Sequence, residues 1–115
     1  MPKYDTNNIF AKILKGEIPT SKVYEDDKVL AFHDISPIAQ THILVIPKGN
    51  YVNFEDFTQN ATDEVILHYF KKVAEIAKLL NVDDNFRIIA NTGEHSGQTI
   101  FHFHTHIVSE KTYIQ

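Results

Sequence analysis

Residues 102–106 read His102-Phe103-His104-Thr105-His106, three histidines at every second position. On a β-strand, side chains at i, i+2 and i+4 share one face, so three imidazoles line up while Phe103 and Thr105 point the other way. Imidazole is the one side chain whose unperturbed pKa lets it serve as nucleophile, base or acid near neutral pH. Such a row suits a wet sheet face, a zinc set or covalent catalysis. Phe101 and Phe103 place a core on the opposite face, and Ile100 and Val108 bracket the histidines on their own. A partly apolar floor of this kind perturbs imidazole pKa values and argues against plain solvent exposure. Zinc sites built on histidine show a further ligand or a carboxylate second layer. The row has no acidic neighbour until Glu110. Covalent catalysis through the central His104 is the favoured reading, with one neighbour to hold its tautomer and the other to help a leaving group.

The loop ahead of the row supports this choice. Asn91-Thr92-Gly93-Glu94-His95-Ser96-Gly97-Gln98-Thr99 ends in a small residue, an amide and a hydroxyl. Glycine lets backbone approach a ligand, and successive N–H groups can cradle an anion. A phosphate held there would lie beside the imidazoles.

The rest of the chain has to position these groups. A short helix is expected over roughly Ile9 to Lys15, capped by Asn7 or Asn8 and stopped by Gly16. Val23–Glu25 and Val29–His33 read as a hairpin, and His42–Ile46 as a third strand ended by Pro47. Phe54 to Phe57 fits a single helical turn. The apolar residues from Val65 to Leu80 recur at helical spacing, which predicts a long helix over about 62–80 with Thr62 as its cap. Phe86–Ala90 is a fourth strand, and Thr99–Val108 a fifth that carries the histidines. His68 on the long helix and His95 in the loop are expected in solvent. The pattern predicts an α+β fold, a five-stranded antiparallel sheet with one long and one short helix, as a single domain over 1–115.

The bulk numbers agree. A chain of 115 residues suits one compact domain, and it has no cysteine. A net charge of −4 does not favour nucleic acid or an anionic membrane. No apolar leader or membrane-length run is visible, so a cytoplasmic location is expected.

The row and its neighbours resemble the histidine triad (HIT) family, whose signature alternates His with apolar positions. Here it runs His102-Phe103-His104-Thr105-His106-Ile107-Val108. Ile9-Phe10-Ala11-Lys12-Ile13, Glu17-Ile18-Pro19, Ala31-Phe32-His33-Asp34-Ile35-Ser36-Pro37, Thr41-His42-Ile43-Leu44-Val45-Ile46-Pro47 and Ser96-Gly97-Gln98-Thr99 are similar to the Hint branch, in the expected order. Thr105 departs from the pattern, which expects an apolar residue, and Ser109-Glu110 stands where the branch often has Gly-Gly.

The resemblance implies a homodimer with a joint sheet, no cofactor and no metal. It also implies hydrolysis of purine nucleoside 5′-phosphoramidates through a nucleotidyl-histidine. His104 would be the nucleophile. His106 would contact the phosphate and assist the leaving group, and His102 and His42 would orient the site. Asp34 would accept from ribose hydroxyls. Ile9, Phe10, Ile13, Phe32, His33, Ile35 and Leu44 would enclose the base, and Asn91, Gly97, Gln98 and Thr99 would hold the phosphate and ribose. The family's C-terminal tail bears on the dimer and on the leaving-group side. Two other functions remain open, a nucleotide-binding regulatory module with incidental turnover and a dinucleoside polyphosphate hydrolase.

Overall fold

The computed structural model describes residues 2–111, so the expectation for the tail beyond Lys111 lies outside the described residues. Its elements are α1 (Ile9–Leu14), β1 (Lys22–Glu25), β2 (Val29–His33), β3 (Thr41–Pro47), α2 (Phe54–Asn60), α3 (Asp63–Leu79), β4 (Arg87–Ile89) and β5 (Thr105–Ser109). The strands form one antiparallel sheet in the order β1-β2-β3-β5-β4. No helix among the described residues is long and apolar enough to cross a membrane.

Each helix starts where a side chain can satisfy a free N–H. Asn8 Oδ1 accepts from the Ala11 N–H at 2.9 Å, Asn53 Oδ1 from Asp56 at 2.9 Å, and Thr62 Oγ1 from Val65 at 3.2 Å. Asp63 and Glu64 sit in the first turn of α3, beside its positive end. Gly16 follows α1 at φ +78°, a conformation only glycine adopts without strain. The single turn expected at Phe54 extends to seven residues, because Asn53 caps it and Phe57 is buried beneath it.

Strand alternation divides the interior into two cores. On one face, Ala31, Ile43, Val45 and Ile107 pack against Phe57 of α2 and Tyr69, Val73 and Ile76 of α3. On the other, Leu30, Phe32, Leu44 and Ile46 pack against Phe10 and Ile13 of α1. Register aligns Phe32, Leu44, His106 and Ile89 across four strands. Directly opposed residues share a face, so His106 lies on the α1 side.

Thr105 faces the long helix, and its environment explains the departure from an apolar residue. The Tyr69 hydroxyl donates to the Val45 carbonyl at 2.7 Å and lies 3.0 Å from Thr105 Oγ1. Its one proton is committed to the carbonyl, so Thr105 donates to Tyr69. A buried hydroxyl with partners on both sides costs little.

Two expectations require correction. The histidine strand is shorter than Thr99–Val108, and its ladder begins only at Thr105. His102 and His104 precede it because nearby groups take their backbone bonds. The His102 carbonyl accepts from the His104 side chain, and the Phe103 N–H donates to the Tyr51 carbonyl. The face alternation survives, with Phe103 in the helix-side core. His68 is not a solvent group. Its Nε2 donates to Asp26 Oδ2 at 2.8 Å, joining α3 to the β1–β2 turn. Asp26 also accepts from Tyr24 and from the N–H groups of Lys28 and Val29, each at 2.8 Å. Burial works to raise the Asp26 pKa, but these donors outweigh it and hold the carboxyl at about 2.

Candidate active site

A cavity of about 270 Å³ opens between α1, the loop after β2 and the segment 91–100. Phe32 and Leu44 enter it from the sheet, Ile9, Phe10 and Ile13 from α1, and His33, Asp34 and Ile35 from the end of β2 and its loop. Asn91, Gly97 and Thr99 form the opposite wall, and His104 and His106 lie between. Ile9 is half-exposed and Ile35 is 96% exposed, so the rim on that side is apolar and open. Ile18, Pro19, Thr20 and Ile100 complete the lining. Ile100 is the apolar neighbour expected beside the histidines, whereas Ile18, Pro19 and Thr20 are lining residues that the spacing of the chain does not single out.

The hydrogen bonds determine the tautomers of His42, His102, His104 and His106. His104 Nδ1 lies 2.7 Å from the His102 carbonyl. A carbonyl only accepts, so Nδ1 carries the proton and Nε2 keeps a free lone pair. Burial lowers the His104 pKa, against the opposing pull of the His102 carbonyl and Asp34, which favours the neutral ring. The Phe10 ring meets it edge-on, centroids 5.0 Å apart at 88°, and limits its rotation.

His42 and His106 form a second chain. His42 Nδ1 accepts from the Ile38 N–H at 3.2 Å, so the proton of neutral His42 is on Nε2. That Nε2 lies 2.9 Å from His106 Nδ1, which therefore accepts. The proton of neutral His106 is then on Nε2, the nitrogen that has no protein partner in this chain of bonds. Burial, with smaller contributions from His104 and His42, lowers the His106 pKa to about 4. Asp34 Oδ2 stands 3.4 Å from His42 Nε2, while its Oδ1 accepts from the Ser36 N–H at 2.7 Å. Asp34 thus makes an Asx turn and still lines the cavity.

His102 lies wholly buried beneath the site. Its Nε2 donates to the Pro47 carbonyl at 2.8 Å, and burial above all pushes its pKa to about 4. His102 and His42 do not line the cavity, but each is bonded to a histidine that does.

Gln98 does not belong to the cavity wall. It is buried, its Nε2 donates to the carbonyls of Val52 and Ile100, and its Oε1 accepts from the Gly93 N–H. It holds the loop, which a buried amide with four bonding sites does well. The proposed anion cradle also needs revision. The Gly97 and Gln98 N–H groups donate to the carbonyls of Glu94 and Gly93 in the 3-10 turn Glu94–Ser96 and its exit. Two successive N–H groups at the end of the loop are thus already engaged. Gly97 adopts φ +93° there, and a Cβ would meet Asn91 only at 3.8 Å, so backbone angle and not crowding requires glycine.

Among the described residues, the groups able to hold a metal ion are not the sequential row. Asp34, His42 and His106 bring donor atoms within 4.8 Å of one another. The 2.9 Å contact between His42 and His106 is itself a hydrogen bond, so a cation would have to displace its proton. His102 has both ring nitrogens engaged, by the Tyr4 hydroxyl and the Pro47 carbonyl, and His104, with Nε2 free, lies outside that group of three.

A family model described as the HIT domain matches residues 15–113. A HIT-like protein of Rickettsia prowazekii, itself named as uncharacterized, is 48% identical over 112 residues, covering 96% of this chain and 93% of its own length. The structure of a histidine triad protein from Clostridium difficile superposes with a TM-score of 0.81 at 40% identity, over 100% of this chain and 98% of that one. That of a HIT family hydrolase from Legionella pneumophila gives 0.85 at 32% identity, over 92% and 95% of the two chains. With its sheet, its two-sided packing and its imidazoles arranged on the α1 face, this chain belongs to the HIT family.

Proposed function

We propose that this protein is a hydrolase of purine nucleoside 5′-phosphoramidates, working through a nucleotidyl-His104 intermediate. One observation carries the reading. His104 lines the cavity with Nδ1–H committed to a carbonyl and Nε2 free, which is the tautomer a nucleophilic imidazole needs.

In the first step the His104 Nε2 lone pair attacks the α-phosphorus and the bond from phosphorus to the amine nitrogen breaks. The amine leaves neutral, carrying the proton of its N-protonated form in the substrate. The His104 ring becomes a cationic phosphoryl-imidazolium, and its Nδ1–H bond to the His102 carbonyl strengthens with that charge. His106, neutral with its proton on Nε2, donates a hydrogen bond to the phosphoryl oxygens or to the departing nitrogen. It acts as a positioned donor and does not surrender its proton outright. Removing one such donor typically costs about 100- to 1,000-fold in rate. In the second step water adds to phosphorus, the bond to His104 breaks with its electrons returning to Nε2, and a proton passes to solvent. The products are the amine and the nucleoside monophosphate.

The apolar wall from Ile9, Phe10, Ile13, Phe32, Ile35 and Leu44 suits both flat faces of a purine, and the Asp34 carboxylate suits a ribose diol. Neither distinguishes adenine from guanine. Asn91, Gly97 and Thr99 stand on the phosphate side. The homodimer remains part of the proposal. The outer strand β4 ends the sheet with Ile88 52% exposed, an edge that a second copy would cover. Sedimentation velocity tests it, with a monomer at micromolar concentration as the opposing result.

The decisive experiment mixes the protein with adenosine 5′-phosphoramidate, quenches early and maps adducts by mass spectrometry. An AMP-sized mass on the peptide carrying His104 is expected, and its absence during active turnover would reject the covalent route. Parallel rates on a diadenosine polyphosphate separate this reading from a polyphosphate hydrolase. Tight nucleotide binding with no turnover on either would favour a binding module.

A further inference from the structure

The segment leading into α1 carries a side chain that no step above uses. Tyr4 reaches beneath the cavity, with its Oη 2.6 Å from His102 Nδ1 and its ring edge-on to the imidazole at 5.6 Å between centroids. The direction of this bond is determined. His102 Nε2 lies 2.8 Å from the Pro47 carbonyl, which can only accept, so Nε2 bears the ring proton and Nδ1 is bare. The Tyr4 hydroxyl therefore donates. Burial raises its pKa, which keeps that proton in place.

We propose that Tyr4 is a positioning residue, whose hydroxyl locks His102 into one tautomer and ring orientation and so aims the carbonyl that holds the nucleophile. The inference rests on His104 being that nucleophile and adds a residue to its support.

Three bonds stand in series. Tyr4 donates to His102 Nδ1 at 2.6 Å, His102 Nε2 donates to the Pro47 carbonyl at 2.8 Å, and His104 Nδ1 donates to the His102 carbonyl at 2.7 Å. These residues lie ahead of β5, where no strand ladder holds the peptide. The peptide that carries the His102 carbonyl has one backbone bond, from the Phe103 N–H to the Tyr51 carbonyl, and the side-chain bonds of His102 hold its other end, so the two together decide where that carbonyl points. Without the Tyr4 hydroxyl, the ring can turn over and offer Nδ1–H to Pro47 instead, which moves the peptide that carries that carbonyl. Phe10 packs its edge against both His102 and His104, with centroids 6.3 and 5.0 Å away. Tyr4 lies four positions before the Asn8 cap of α1, the helix that supplies Phe10. The one hydroxyl thus ties the apolar wall and the nucleophile to a common buried ring.

The test compares wild type with Tyr4→Phe, which keeps the ring and removes the donor. On adenosine 5′-phosphoramidate, kcat is expected to fall about 10-fold with KM within twofold, as small misplacements of a reacting group do. Two readouts need no substrate. In ¹⁵N-histidine spectra of the wild type, His102 should show a single Nε2–H tautomer, and the variant should lose it. Carbethoxylation of His104, mapped by mass spectrometry, should slow about threefold in the variant, reporting a less available Nε2. Unchanged kcat and His104 reactivity in a folded Tyr4→Phe would overturn the proposal, as would a rise in KM alone. Should that variant fail to fold, an Nδ1–H tautomer at His102 in the wild type overturns it equally, and the Nε2–H form supports it. A wild type that turns over no phosphoramidate, yet shows the tautomer change and slowed His104 reactivity, retires the hydrolase reading and upholds the role of Tyr4.

Discussion

The two faces of the sheet are built from the same strands and do opposite work. On the α2–α3 face, alternate residues of β2, β3 and β5 meet Phe57, Tyr69, Val73 and Ile76, and Phe57 and Phe103 stack with centroids 4.7 Å apart. Tyr69 and Thr105, the polar pair at its centre, have partners and no route to solvent. On the α1 face, the apolar cluster is smaller and stops short of closing. Its polar groups are imidazoles with one nitrogen committed and, for His104 and His106, one left over. The difference teaches that satisfied polar groups hold a fold, whereas half-satisfied ones at a cavity can perform chemistry.

Substitutions on the two faces should therefore separate activity from stability. His104→Ala is expected to abolish turnover, by about 10,000-fold or more, with the thermal midpoint close to wild type. Retained turnover in steady-state assays would remove His104 from the role of nucleophile. Phe57→Ala, on the other face, should cost about 3–5 kcal/mol in denaturant unfolding. At temperatures where that variant remains folded, its kcat should stay near wild type. Tyr69→Phe is a milder version, leaving the Val45 carbonyl without its donor for about 1–3 kcal/mol.

The pH dependence sharpens the same contrast. His102 and His106 have folded pKa values of about 4, below the ordinary 6.5. Between those values the unfolded chain binds more protons, so their contribution to stability is lost as pH falls from about 6.5 toward 4. Turnover should not halve as pH falls through 6.5, because burial holds His104 and His106 neutral there, and a midpoint near 6.5 in a pH–rate profile would contradict the buried neutral state. Asp26 belongs to the opposite layer and acts lower. Its pKa of about 2 against the ordinary 3.8 gives stability that is present above 3.8 and fades as pH falls toward 2. Asp26→Asn should flatten that lower limb of an acid-unfolding curve and leave activity at neutral pH unchanged, the smallest effect in the set.

How much of this was legible beforehand follows the range of each interaction. The caps at Asn8 and Thr62, the stop at Gly16 and the long helix were readable because each depends on residues three or four apart. The pocket residues from Ile9 to Leu44 were reached through motifs in register, and the structure brings them to one cavity. Gln98 was misjudged because local spacing cannot reveal that its amide turns inward to Val52, 46 positions away. His68 was misjudged for the same reason, its partner Asp26 being 42 positions back.

Sequence alone determined the alternation that sends His102, His104 and His106 to one side and Phe103, Thr105 and Ile107 to the other, since a period of two is a property of extended backbone. Tertiary structure decided which nitrogen of each imidazole carries the proton. That choice depends on the carbonyls of Pro47 and His102, the Ile38 N–H and the Tyr4 hydroxyl, and three of those four meet their histidine only because folding brings distant or turning segments against it.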